Sequence, residues 1–283
     1  MEGGGGQDME RCYNLQTCAA NSSLEQDIRL CAAAGFSSVE IDFQKARDYL
    51  QEHTLQDLSR LMQAHRMRCA SINAIFSINF CTEQQWEDVC AQLDFACDLG
   101  EATGADRVIV LSNERADLPA GVTDEAIFTD TLQALHRLAD RGKARGMKIA
   151  FEPVGTMAIG DIGTAWRLVQ AADRPEVGLV IDDFNLYLWD VGADFDVIRG
   201  IAPEKVFMVH LNDAEKIPFA RLDQNHRCMP GDGRIDVRRY MECVRACGYD
   251  GPVSVEVLNS EIWAKGPETV IPEAYEKMGE FVD

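Results

Sequence analysis

The chain has 283 residues, is 46% hydrophobic and carries a formal charge of −20, from 27 Lys and Arg against 47 Asp and Glu. That balance argues against a nucleic-acid partner, whose phosphates need a basic face, and no apolar run approaches the ~20 residues of a membrane span. The length suits one (β/α)₈ barrel, for which ~250 residues is typical, and no Pro/Ser-rich linker divides it.

The expectation is a single α/β domain, a (β/α)₈ TIM barrel, over residues 9–283. The stretch GGGGQD ahead of it reads as a disordered or vector-derived tail over residues 1–8, with Met9 as an alternative start. No secretory signal is read there. Ten Cys without a CxxC pair or regular framework fit a reducing cytoplasm. Cys243 and Cys247 share a helix face, but free Cys in a helical pattern is first a small buried hydrophobe.

In chain order, Arg11–Cys18 offers a first strand with Asn14 near its end. Ser22 and Glu25 form an S-x-x-E capping box for a helix running to Gly35. Phe36–Asp42 is a second strand ending in two acids, Glu40 and Asp42. Leu55, Leu58, Leu61 and Met62 mark a helix over Thr54–His65. Arg68–Asn73 is the third strand, Thr82–Leu99 a helix closed by Gly100, and Arg107–Leu111 the fourth strand. A helix over Thr123–Arg145 stops at Gly146.

The second half changes character. Lys148–Glu152 (KIAFE), Val177–Asp182 (VGLVID) and Val253–Glu256 (VSVE) are short apolar strands that each end on an acid. Lys205–His210 (KVFMVH) ends on an imidazole. Helices are expected at Gly163–Ala172, Phe195–Gly200, Val237–Cys247 and near Pro272–Phe281. The alternation of strand and helix, about eight times over, predicts a closed parallel barrel.

Ionised carboxylates at the edge of a core are costly unless a cation or donors compensate them. Three of them and a His, at the barrel face where active sites lie, are explained by one divalent metal on Glu152, Asp182, His210 and Glu256. The donor set is mostly hard, suiting Mn²⁺ first, with Mg²⁺, Co²⁺ or Zn²⁺ open. Such a metal acidifies the C–H beside a carbonyl, and Glu152 and Glu256 could then move the proton. The expected reaction is isomerisation or epimerisation through an enediolate; loss of water is the alternative. Asp183, on the opposite face of its strand, is left out. Asp213 and Glu215 are candidates to orient His210, and Trp189, Phe76 and Phe80 to wall the pocket.

The order AFEPVG, GLVIDDF, MVHLNDAE, PGDGRID and GPVSVEV resembles the xylose-isomerase-like barrel family of sugar isomerases and epimerases, nearest its inosose isomerases. The resemblance runs from about Tyr13 to the end. It implies a small polyol or ketose substrate, a keto-inositol (inosose) foremost, the same four metal ligands, and contact of Arg227 with substrate oxygens. An inosose dehydratase-type lyase is the alternative on the same site. Asn14 is placed with Arg227 among the substrate contacts, and homo-oligomers are left open. Where the family commonly reads Asp-x-Phe-His, this chain reads Asp182-Asp183-Phe184-Asn185. Asn185 is therefore expected to serve substrate recognition; His226 is read first as a solvent-exposed loop residue and second as a substitute for the missing imidazole.

Overall fold

The computed structural model describes residues 9–19, 21–190 and 195–283; the expected tail over residues 1–8 lies outside them. Eight parallel strands close into a barrel. They are β1 (Arg11–Asn14), β2 (Ser38–Asp42), β3 (Arg68–Ile75), β4 (Arg107–Val110), β5 (Lys148–Phe151), β6 (Val177–Asp182) and β7 (Val206–Leu211), then an eighth, Val253–Val255. Each pairs with the next, and the eighth closes back on β1 with Arg11 opposite Val253 and Tyr13 opposite Val255.

Strand alternation sorts the side chains into two cores. Ile149 and Phe151, Leu179 and Ile181, Val209 and Leu211, and Val253 and Val255 face outward to the helices. Ala150, Val180 and Met208 face the barrel interior. Two residues further along, the same inward parity puts Glu152, Asp182 and His210 inside, and Ser254 is followed likewise by Glu256. The barrel floor is tightly filled: a Cβ on Gly178 would lie 2.6 Å from the Phe207 ring.

Several helix boundaries differ from expectation, for local reasons. The first helix, Leu24–Ala34, is capped by Ser23, whose side chain accepts from the Gln26 amide. Ser22 is engaged elsewhere, donating to the Cys18 carbonyl at 3.0 Å and meeting Lys45 Nζ at 2.9 Å. The helix expected to stop at Gly100 runs Glu83–Thr103 and ends at Gly104, with φ of 84°. Gly100 lies within it because a Cβ there would sit 2.6 Å from the Ala105 carbonyl. Phe195–Gly200 is a 3₁₀ turn, and the last helix starts earlier, at Pro267. Two seven-residue helices, Phe43–Tyr49 and Asp183–Trp189, begin directly after strands whose last acids, Asp42 and Asp182, cap them. Among the described residues no helix is long and apolar enough to cross a membrane.

Beside the first of these helices, Lys45 and Asp27 form a buried ion pair, with Lys45 also donating to the Cys18 carbonyl at 3.2 Å. Removing one partner leaves the other charge buried and uncompensated. Lys45→Met is therefore expected to destabilise the fold by about 3–5 kcal/mol, measured by urea denaturation. A loss under about 1 kcal/mol would place the pair in the solvated class.

A candidate metal centre at the strand ends

Glu152, Asp182, His210 and Glu256 are all buried, and one ligand atom from each lies within 4.8 Å of the others. They come from four consecutive positions around the barrel, with Asp182 and His210 directly paired across β6 and β7. His210 Nδ1 lies 3.2 Å from Glu256 Oε2, 3.5 Å from Asp182 Oδ2 and 3.6 Å from Glu152 Oε1. That nitrogen is buried and makes no hydrogen bond. A buried ring nitrogen without a hydrogen-bond partner, ringed by three carboxylates, is what a divalent cation would satisfy. The residues fit the metal that their chemistry implies.

The other face of the imidazole is held by Glu40, whose Oε1 lies 3.0 Å from His210 Nε2. Glu40 also accepts from Ser71 Oγ and, at 3.2 Å, from Asn14 Nδ2. With Nε2 donating to Glu40, the Nδ1 lone pair is left for the metal. The expected orienting acids are elsewhere. Asp213 accepts from the amides of Gly233 and Ile235, both at 2.8 Å, and so shapes the loop after β7. Glu215 accepts from Asn259 at 2.8 Å. Glu40 was visible as a strand-end acid of inward parity, between outward-facing Val39 and Ile41; what the sequence does not reveal is that it reaches across the barrel to His210. Glu40→Gln is expected to weaken metal binding by about 10–100-fold, read by chelator competition. An unchanged affinity would show that the ring keeps its orientation without the carboxylate.

Arg227 is buried and brought in by a short antiparallel ladder, in which Ala214 pairs with Arg227 and Asp213 with Cys228. Its Nη1 donates to Asp182 Oδ2 at 2.7 Å and to Glu256 Oε2 at 3.0 Å. Nε and Nη2 both donate to Gln224 Oε1, at 3.1 and 2.8 Å. Every donor nitrogen of Arg227 thus has a protein acceptor. Asn14 donates to Glu256 Oε1 at 2.7 Å, and Asn73, not singled out in the sequence, donates to the same oxygen at 3.2 Å. Asn185 donates to Glu152 Oε1 at 2.9 Å. His226 pairs with Asp223 at 2.7 Å in its own turn. Asp183 faces away, accepting from the Asn212 amide at 3.1 Å; burial and the nearby Asp182 and Asp213 push its carboxyl well above the usual range.

A cavity of about 1130 Å³ lies beside the ends of the first two strands, with Gln16, Asp42, Lys45, Gln224 and Trp263 in its wall but none of the four prospective ligands. Trp189, Phe76 and Phe80 do not line it. Trp189 is 43% exposed and Phe76 48%; Trp189 lies over a separate hollow with Arg115 and Arg167.

Charge at the centre is unbalanced without a cation. Burial pushes Glu152 up to about 7, aided by Glu256 and Asp182 and opposed by His210. Burial alone would raise Asp182 too, but Arg227 and His210 outweigh it and hold Asp182 well below the carboxylate range. Burial would lower His210, yet Glu40 and Glu256 outweigh that and hold it well above its ordinary value. In the metal-free protein, Glu152 and His210 therefore both carry protons near and below pH 7, and both must release them to bind a cation. Affinity is expected to fall as pH drops, by about tenfold per unit for each proton released. Kd measured across that range is the check, and Glu152→Gln should remove one proton from the slope. A flat profile would mean that both ligands are already deprotonated.

Comparison with known proteins agrees with this architecture. The family described as xylose isomerase-like TIM barrel matches residues 28–280. An inosose isomerase of Bacillus velezensis is 28% identical over 273 residues, covering 95% of each chain. A 3-dehydroshikimate dehydratase of Pseudomonas aeruginosa is 28% identical over 87% of this chain, but only 38% of that protein is covered. The crystal structure of IOLI protein with a bound zinc atom superposes with a TM-score of 0.91 at 26% identity, covering 97% of this chain and 98% of that one. The chain belongs to the xylose isomerase-like TIM barrel family.

Proposed function

We propose that the protein is a divalent-metal-dependent isomerase that moves a proton between neighbouring carbons of a keto-inositol or related ketose. The observation that carries this reading is the placement of Glu152 and Glu256, on the outer two of the four ligand-bearing strands, beside the partnerless Nδ1 of His210. Glu152, Asp182, His210 and Glu256 would hold the cation, Mn²⁺ foremost. A bound dication supplies the polarisation that acidifies a C–H beside a carbonyl. One glutamate would take the carbon-bound proton, and the other, protonated by exchange with solvent, would deliver one to the neighbouring carbon, through an enediolate. The hydroxyl proton would pass between the two substrate oxygens. Asp182 is reserved for binding, since its Oδ1 is committed to the Asn185 amide at 2.7 Å.

Substrate recognition falls to Arg227, while Asn14 and Asn185, whose side-chain amides are spent on Glu256 and Glu152, act through the carboxylates they hold. In the metal-free arrangement Arg227 is the counter-charge of Asp182 and Glu256. Once a dication neutralises those carboxylates, the Nη1 donors of Arg227 are released to a substrate oxygen. The ten free cysteines support a reducing, cytoplasmic setting.

The similarity to the inosose isomerase over nearly the whole of both chains favours this chemistry. A lyase on the same site is the second reading, supported by the likeness to the dehydratase of Pseudomonas aeruginosa. Incubating the metal-loaded protein with 2-keto-myo-inositol in D₂O, then analysing the sugar by NMR and mass spectrometry, separates them. Isomerisation gives deuterium at carbon with the skeleton intact, and dehydration removes a water. No exchange into any inosose would overturn the proposal.

A further inference from the structure

We infer that Gln224 is a positioning residue whose hydrogen-bond polarity, passed through Asn185, aims Glu152 at the reacting centre. The chain of contacts starts at Arg227. A guanidinium has donors only, so the oxygen of the Gln224 amide must face it, and Oε1 accepts from Nε and Nη2 at 3.1 and 2.8 Å. That turns Gln224 Nε2 outward, where it donates to Asn185 Oδ1 at 2.9 Å. Arg227 Nη2 supports the same orientation from 3.5 Å. With its oxygen occupied by donors, Asn185 can offer only Nδ2 on its other side, and Nδ2 donates to Glu152 Oε1 at 2.9 Å. Each amide could in principle be flipped. Here neither can once Glu152 is ionised, as metal binding requires, because a group that cannot accept stands at one end and a carboxylate that cannot donate stands at the other.

The relay fixes one oxygen of Glu152 by its contact with Asn185. Asn185 itself is held at both ends, with its backbone amide on Asp182 Oδ1 at 2.7 Å. It is 1% exposed, so water does not compete for the amide. Gln224 sits in a short 3₁₀ turn closed by the Asp223–His226 pair, and it also lines the open cavity. It therefore joins the cavity wall to the carboxylate that handles the proton. A hydroxylated side chain at either position could not transmit direction in this way, since a hydroxyl rotates to suit its partners.

This inference rests on Glu152 being the proton-moving group, but its first test does not use turnover. Gln224→Glu keeps the acceptor for Arg227 and removes the donor to Asn185. The Asn185 amide should then turn its Nδ2 toward residue 224 and withdraw it from Glu152. In the full-length, Mg²⁺-loaded protein, the nuclear Overhauser contact between the Asn185 side-chain amide and the Glu152 side chain is expected in the parent and lost in Gln224→Glu. Its retention would overturn the relay. In turnover, kcat should fall about 10–100-fold, with KM and metal Kd changed by no more than about threefold. Gln224→Met, which offers neither donor nor strong acceptor, should leave the Asn185 amide unfixed and lower kcat less than Gln224→Glu does; it serves if the carboxylate variant does not fold. Because Gln224 acts through Asn185, the losses of Gln224→Met and Asn185→Leu should not multiply in the double variant. Multiplying losses, or an equal fall in melting temperature and activity without a kcat-specific effect, would reduce Gln224 to packing. If the amide contact behaves as described while no inosose exchanges deuterium, the relay stands and the proposed reaction fails.

Discussion

Replacing Glu152 or Glu256 with Gln is expected to lower kcat by about 10²–10⁴-fold, the range contributed by a positioned acid–base group, with the metal still bound. The amide keeps an oxygen for the cation and nearly the same shape, but it cannot accept a proton. For Glu152 the substitution also removes an acceptor, because Asn185 Nδ2 would then face either the amide oxygen or another NH₂. For Glu256, the carboxylate accepts from Asn14 and Asn73 on one oxygen and from Arg227 on the other, so Gln keeps only one of these sides. Metal content by mass spectrometry must accompany the rates. Near-normal turnover of a metal-loaded variant would make that glutamate a ligand without a proton-transfer role.

The second large effect is expected from His210→Ala, which should lose the metal on dialysis. Partners that only orient a metal-binding His already cost about 10–100-fold in affinity, and removal of the ring itself should exceed that. It also frees Glu40, which would remain buried and facing an empty space beside Ser71 and Asn14. An Ala variant that retains a full equivalent of metal would remove His210 from the ligand set, and the three carboxylates would then have to hold the ion alone.

The fold was legible because strand and helix alternate with few ambiguous segments, and the four candidate ligands were legible because each stands within one residue of the end of an apolar strand. The helices Phe43–Tyr49 and Asp183–Trp189 were not. Each is too short for helical periodicity to accumulate, and its capping Asp also reads as the end of a strand. Glu40 shows the limit of pattern reading at the site. It shares inward parity with Asp42, yet Glu40 orients His210 across the barrel while Asp42 caps a helix and accepts from Gln16 at 3.1 Å. Asn185 shows a different limit. Its residue type announced a missing imidazole, but only the surrounding donors reveal that both ends of its amide are committed within the protein.

The origin of these groups along the chain bears on how the molecule assembles. The four prospective ligands lie between residues 152 and 256, whereas Asn14 and Glu40, which brace Glu256 and His210, belong to the first two strands. The contact between Asn14 and Glu256 joins positions 242 residues apart, and such non-local contacts form late because chain closure must come first. A half-formed barrel whose first two strands have not docked could gather the four ligands but not orient them. Full metal affinity is thus expected only once the first two strands, which carry the bracing Asn14 and Glu40, have docked against the four that carry the ligands. At free metal about 100-fold above Kd this linkage adds about 2.7 kcal/mol to the stability of the closed state over any form in which those bracing contacts are missing.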